Sequence, residues 1–202
     1  MKTKIAVFVS GGGTNLQALI DFQAAGKLTD GELALVVSSS SSAYALERAA
    51  KAGIDFVVVA RKECASQTEF EEKIISALEA SGIEMIVLAG FMSILSESFT
   101  KRYENKIINV HPSLIPSFCG KGMYGLRVHE AALAYGVKVT GATVHFVNEI
   151  PDGGKIIMQR AVEILPGDTA EVLQKRVMEQ AEWDILPKAA QEVAKELREE
   201  KE

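Results

Sequence analysis

Short apolar, β-branched runs recur through the first half of the chain, at Ile5–Val9, Leu33–Val37, Phe56–Val59, Met85–Ala89 and Ile107–Val110. Between them, at Asn15–Ala25, Ala43–Ala52, Thr68–Ser81 and Ser96–Arg102, apolar residues return every three or four positions. The short runs predict strands and the periodic stretches predict helices. Their alternation implies βαβ units, hence a mostly parallel sheet covered by helices on both faces.

After residue 111 the rhythm changes. The Pro/Gly-rich "HPSLIPSFCGKGMYG" leads to a predicted helix at Leu126–Tyr135 and then to two strand-like stretches, Lys138–Val147 and Lys155–Ile164. The first of these alternates apolar with small or polar residues, the pattern of a half-buried antiparallel strand. "PGDTAEVL" signals the start of a last, long helix from about Thr169, with Asp168 or Thr169 as cap and Glu171 in the first turn. Its charged end, from Lys195, is expected to fray. Ser38–Ser42 is most simply a solvated loop.

At 202 residues, 48% hydrophobic and 24% charged, the chain can bury the core of one large α/β domain. A net charge of −5 argues against broad nucleic-acid binding, which depends on basic surface. Any anionic ligand must therefore find a local cradle. The two cysteines, Cys64 and Cys119, have no metal or redox spacing and read as ordinary thiols of a reducing cytoplasm. Ile5–Val9 is shorter than the roughly 7 to 15 apolar residues of a secretory leader, and no stretch nears the roughly 18 of a membrane span. A cytoplasmic location is expected.

Candidate chemistry starts at "SGGGTN", residues 10–15, between the first strand and the first helix. A nucleotide-triphosphate loop of the GxxxxGK[ST] type is excluded, because no lysine follows the glycines. A dinucleotide fingerprint lacks its third glycine, and the second strand ends in serines where an acidic residue would hold the ribose. What remains is either a tight structural turn or a cradle for a small anion such as a terminal monophosphate. The cradle would use close backbone N–H groups, Thr14, Asn15 and the positive end of the helix.

A second cluster follows the fifth strand. In "INVHPSLIP", Asn109 and His111 lie two apart and project to one side of an extended backbone. They sit at the carboxyl end of a parallel strand, where α/β sheets bind ligands. In "NEIPDGG", Asp152 occupies a turn between the last two strands. An Asp before two glycines serves many turns, and a single His at a strand end is often structural. Together, amide, imidazole and carboxylate could converge at one mouth.

"SGGGTNLQAL", "VLAGFMSIL", "INVHPSLIP", "GATVHFVNEIPDGGKII" and "LPGDT", in this order and spacing, resemble the phosphoribosylglycinamide formyltransferase family, folate-dependent enzymes of purine biosynthesis, over about residues 4 to 190. The resemblance implies a single formyltransferase domain over 1–202. Its three-layer, Rossmann-like α/β fold would be mostly parallel, with antiparallel strands in the C-terminal half. Residues 1–110 would form the ribonucleotide-binding half, and 111–202 the folate-binding and catalytic half. It implies 10-formyltetrahydrofolate as co-substrate, glycinamide ribonucleotide as acceptor, no metal, no nucleic acid or membrane partner, and a monomer or homodimer. Asn109, His111 and Asp152 match the catalytic trio. Gly12, Gly13, Thr14 and Asn15 match the phosphate site, and Glu182 matches a carboxylate near the substrate amine. Met92, Ser93, Ile94 and Leu95 would line the pterin slot with Asn109, and Asn148, Glu149, Ile150, Pro151 and Asp152 would close over it. His145 is expected to serve packing or to support the trio, and His129 to lie on the surface.

The chain departs from the family at Ser93, where Arg is frequent, at Trp183, commonly His, and at Ser38-Ser39-Ser40, usually Ser-Asn-Arg. Rival readings remain. A methionyl-tRNA formyltransferase would carry a Trp-Arg-Gly-Ala loop after HPSLIP and a C-terminal RNA-binding domain. A formyltetrahydrofolate deformylase would use a similar trio with water as acceptor, behind an N-terminal regulatory domain. A silent folate- or anion-binding module would have no use for an intact trio.

Overall fold

The computed structural model describes residues 1–201. Its centre is one seven-stranded sheet: β1 (Thr3–Val9), β2 (Gly31–Ser38), β3 (Asp55–Val58), β4 (Met85–Leu88), β5 (Ile107–His111), β6 (Val139–Phe146) and β7 (Ile156–Glu163). The spatial order is β3-β2-β1-β4-β5-β6-β7. The first five strands run parallel, and β6 and β7 add antiparallel to β5 and to each other. The expected mixed sheet is therefore present, with every strand near its predicted place.

β1 shows why the layers form. Ile5, Val7 and Val9 point into one apolar cluster, while Ala6 and Phe8 point into the other, as side chains alternate along a strand. All five are completely buried. On the first face pack α1 (Thr14–Ala24), α2 (Ala45–Lys51), α6 (Ala170–Val177) and α7 (Trp183–Glu199). On the second pack α3 (Gln67–Ala80) and α4 (Glu97–Arg102) through Phe70, Ile74, Leu78 and Phe99. The remaining helix, α5 (Leu126–Tyr135), follows the Pro/Gly-rich segment.

The chain leaves β1 toward β2 and β3 on one side, and returns to β4 and β5 on the other. Strand order thus reverses between β1 and β4, and the crevice at their carboxyl ends is where open α/β sheets receive ligands. The turn after β1, the loop after β4 and the end of β5 all face this crevice. The turn and the loop are tied together by a hydrogen bond from the Met92 N–H to Ser10 Oγ, 2.9 Å.

Three expectations need correction. The last helix is not continuous: a π turn at Met178–Glu182 separates α6 from α7. Pro187 follows in α7 and has no N–H for the carbonyl of Trp183, so regular α-helical bonding fails just beyond the π turn. The helix also stays formed through Glu199, because its end is docked. Leu197 is buried, and Arg198 pairs with Asp30 at 2.5 Å. Finally, the serine run is only partly a loop. Ser38 is a buried residue of β2 whose hydroxyl donates to the carbonyl of Ser40, 2.7 Å.

Candidate active site

Backbone shape controls the glycine turn. Gly13 has φ +70°, and a Cβ on it would lie 2.6 Å from the Cβ of Ala45, so only glycine fits. Gly11 and Gly12 face open space. No side chain caps the first turn of α1 and no acidic residue enters it. Its leading amide N–H groups are thus not taken by a cap, which leaves them for an anion.

Asn15 reaches away from the turn. Its Nδ2 donates to Glu182 Oε2 at 2.7 Å, while Oδ1 is buried without a protein partner. Glu182 itself is 7% exposed and belongs to the π turn. Burial pushes its carboxyl above the ordinary carboxylate range, and the Asn15 bond opposes that rise. The irregular turn thus brings a carboxylate from the end of the chain against the glycine turn at its start. Trp183 follows and, with Thr14, Gln17 and Arg48, lines a cavity of about 390 Å³ beside α1. That cavity does not reach Asn109, His111 or Asp152.

Asn109, His111 and Asp152 do come together, around a fourth residue. The strand register places Asn109 opposite His145 and His111 opposite Thr143. His145 Nδ1 lies 2.7 Å from the carbonyl of Phe146, so this nitrogen carries the proton. Its Nε2 then accepts from Asn109 Nδ2 at 3.2 Å. His111 Nε2 lies 2.9 Å from the carbonyl of Phe118 and donates to it. Between the two rings sits Asp152, with Oδ2 at 3.6 Å from His111 Nδ1 and Oδ1 at 3.6 Å from His145 Nε2. These separations exceed a good hydrogen bond.

The carboxylate is fixed from the other side by the Gly120 N–H, which donates to Oδ2 at 2.8 Å. Burial alone would raise the Asp152 carboxyl. The contact with His145, the Gly120 hydrogen bond and the nearby His111 outweigh it and hold the group below its ordinary value. Asp152 is therefore ionised at neutral pH. Nearby, burial and the Asp152 charge push the Cys119 thiol up, so Cys119 remains the ordinary thiol expected of it.

Two strained residues frame His111. Phe118 (φ +49°) and Asp152 (φ +56°) both adopt the left-handed region, which costs a side-chain-bearing residue about 1–2 kcal/mol. The surrounding packing enforces the Asp152 turn: a Cβ on Gly154 would lie 1.8 Å from the carbonyl of Phe146, and one on Gly153 would lie 2.6 Å from Ile150. The segment after His111 is anchored by Thr143, whose hydroxyl donates to the Ser113 carbonyl at 2.7 Å and accepts from the Ile115 N–H at 3.1 Å. Gln159 on β7 adds a bond to the Ile115 carbonyl at 3.0 Å.

The loop residues matched to the folate slot follow β4 and β6. Met92 and Ile94 are 59% and 84% exposed, and Ile150 is 58% exposed. Ser93, Leu95 and Asn148 are half-buried, while Glu149 and Pro151 are exposed. Asn148 Oδ1 accepts from the Ile150 N–H at 3.0 Å, which curls the 148–151 loop.

His145, expected to serve packing or to support the trio, touches both Asn109 and Asp152, a placement set by strand register. Sequence reasoning misplaced His129. That residue is completely buried on α5, with no protein partner for either ring nitrogen. Burial, followed by the nearby His111, drives its pKa down to about 4. The spacing of Val128, His129 and Ala132 on one helical face explains why it turns inward. Among the described residues, no group of three His, Cys, Asp or Glu side chains could hold a metal ion. No described helix is long and apolar enough to cross a membrane.

Comparison with known proteins now bears on this geometry. Residues 3–190 match the formyl transferase family. A phosphoribosylglycinamide formyltransferase of Haemophilus influenzae is 42% identical over 184 residues, which cover 91% of this chain and 84% of that one. The trifunctional purine biosynthetic protein adenosine-3 of Gallus gallus is 47% identical over 96% of this chain, which spans only 18% of that longer protein. Among solved structures, glycinamide ribonucleotide transformylase 1 of Symbiobacterium toebii superimposes with a TM-score of 0.89 at 40% identity, covering 96% of this chain and 88% of that one. The phosphoribosylglycinamide formyltransferase of Brucella melitensis gives 0.88 at 41% identity, with 96% of each chain covered. By fold, by sequence along nearly its whole length and by the motifs at its crevice, the chain belongs to the phosphoribosylglycinamide formyltransferase family.

Proposed function

We propose that this chain transfers the formyl group of 10-formyltetrahydrofolate to the amine of glycinamide ribonucleotide, with Asn109, His111 and Asp152 as the reacting machinery. The observation that carries the proposal is the meeting of these three side chains with His145 at the end of β5. The glycine turn after β1 lies two strands away, or about 10 Å at ordinary strand spacing. A ligand with a phosphate at one end and a short amide ending in an amine at the other, joined through a ribose, has that length. Its phosphate meets the amides of Gly12, Gly13, Thr14 and Asn15, and its amine meets Asp152; Glu182, expected near the amine, is tied to Asn15 beside the turn and so serves the ribonucleotide nearer its phosphate end. In this reading residues 1–110 hold the ribonucleotide and add Asn109 and the 92–95 loop, while the later half supplies the remaining folate contacts and catalytic groups, in a cytoplasmic enzyme of small molecules.

The amine attacks the formyl carbon, a new N–C bond forms, and negative charge gathers on the formyl oxygen. Asn109 has two amide hydrogens, and only one goes to His145. The other stabilises the oxyanion in a site sheltered from water. As the adduct collapses, the bond from the carbon to the folate nitrogen breaks, and that nitrogen gains a proton while the attacking amine loses one. Asp152, ionised and held by Gly120, takes the amine proton directly or through a water. His111 acts as the acid once its Nε2–H exchanges the Phe118 carbonyl for the formyl oxygen. The folate ring packs on the exposed side chains of Met92 and Ile94, with Ser93, Leu95 and residues 148–151 around it.

The test follows 10-formyltetrahydrofolate optically with and without glycinamide ribonucleotide. Consumption that depends on the acceptor supports the transferase. Equal consumption in buffer alone, with release of formate, replaces it by the deformylase, and no consumption in either arm leaves a binding module.

A further inference from the structure

A phosphate dianion held only by neutral donors keeps its charge uncompensated, and in a protein of net charge −5 the overall field does not help. No basic side chain lies within the Gly11–Asn15 turn itself. One cation is built against it. Arg48, from α2, donates from Nε to the carbonyl of Gly12 at 2.9 Å, and from Nη1 to Gln17 Oε1 at 2.8 Å. Its side chain runs along Gly13, where an added Cβ would sit 3.4 Å from its Cδ. Its guanidinium lies over the ring of Tyr44, 5.0 Å from the centroid. Two hydrogen bonds and a stacked ring hold a long side chain that would otherwise sample many rotamers.

We propose that Arg48 is the charged member of the phosphate cradle, binding the ribonucleotide's phosphate beside the amides that start α1. The proposal rests on the reading of the turn as a phosphate site. Nε and Nη1 face the turn and Gln17, while Nη2 makes no hydrogen bond to the described residues. Arg48 also shares the wall of the 390 Å³ cavity with Thr14. With Nε and Nη1 engaged, the guanidinium is held in place and Nη2 is left to donate to phosphate oxygens in a fixed direction that a lysine ammonium does not offer. Lys27 lines the same cavity but follows the C-terminal end of α1, away from the glycines. A residue that merely braced Gly12 would affect every ligand of the crevice alike. One that neutralises phosphate acts only on ligands carrying it.

Calorimetric titration of the full chain with glycinamide ribonucleotide and with the corresponding riboside, which lacks the phosphate, separates these roles. The wild type should prefer the phosphorylated ligand. R48Q should weaken the ribonucleotide by about ten- to a hundredfold, the usual loss of a hydrogen bond to a charged partner, with riboside affinity unchanged. R48K should recover part of that loss, since it restores charge without the planar fork. Circular dichroism and a thermal melt of each variant confirm that it is folded. If R48Q weakens both ligands equally, or keeps the wild-type preference, the proposal for Arg48 falls while the phosphate site stands. If the wild type itself does not distinguish the two ligands, the phosphate reading of the turn falls, and the role of Arg48 with it.

Discussion

His129 provides a quantitative test of the packing around the site. The ring is completely buried, neither nitrogen has a protein partner, and its pKa is driven down to about 4. In the unfolded chain it titrates near its ordinary 6.5. Between these values the unfolded state binds a proton that the folded state refuses. Stability is therefore fully present above pH 6.5 and declines as pH falls toward 4. The gap, at about 1.4 kcal/mol per tenfold change, corresponds to a loss of about 3 kcal/mol at pH 4 and about 2 kcal/mol at pH 5. His129→Leu removes the titrating ring and leaves no polar atom unpaired, so at pH 7.5 it should cost less than about 1.5 kcal/mol. Urea unfolding of both proteins at pH 7.5, 6, 5 and 4.5 isolates this contribution as the difference between the two stability curves, because other titrating groups are common to both. The two curves should converge or cross as pH falls. A constant difference across that range would refute the reasoning, since it would mean that His129 is protonated in the folded state or reaches water there.

Three further predictions concern the crevice. Asp152→Asn keeps the shape while removing the charge between the two imidazoles, and should lower kcat by orders of magnitude with both substrates still binding. Adding His111→Ala should cost little beyond the worse single change, whereas additive losses in steady-state assays would show that the two act separately. Asn15→Leu deprives buried Glu182 of its donor, and should cost about 1–3 kcal/mol in denaturant unfolding besides raising KM for the ribonucleotide; unchanged stability would contradict the observed bond. Gly154→Ala places a Cβ 1.8 Å from the Phe146 carbonyl, so the Asp152 turn must shift. Activity should fall much further than folate affinity measured by fluorescence, and near-normal turnover would show that the turn is not closely constrained.

The layered sheet was legible because its signals are local. β-branched runs such as Ile5–Val9 can be buried on both faces only in the middle of a covered sheet, and apolar residues three or four apart, such as Phe70, Ile74 and Leu78, commit a helix to one face. The candidate trio was legible for a similar reason. Asn109 and His111 share a side of one strand, and "PDGG" announces a turn. What no local pattern contains is which distant groups meet. Strand register set His145 against Asn109, and the resulting distances made it a partner of Asp152. The π turn delivered Glu182 to Asn15, 167 residues away in sequence, and so took up a side-chain donor that had been assigned to phosphate. Arg48 reads in the sequence as one more charge on an amphipathic helix, until α2 packs against the glycine turn and points it at the Gly12 carbonyl. His129 reads as polar and therefore outward, but the helical face it shares with Val128 and Ala132 is buried whole. Secondary structure follows from spacing within one segment; a site depends on contacts between segments, and those are decided only when the sheet order and the packing of its helices bring them together.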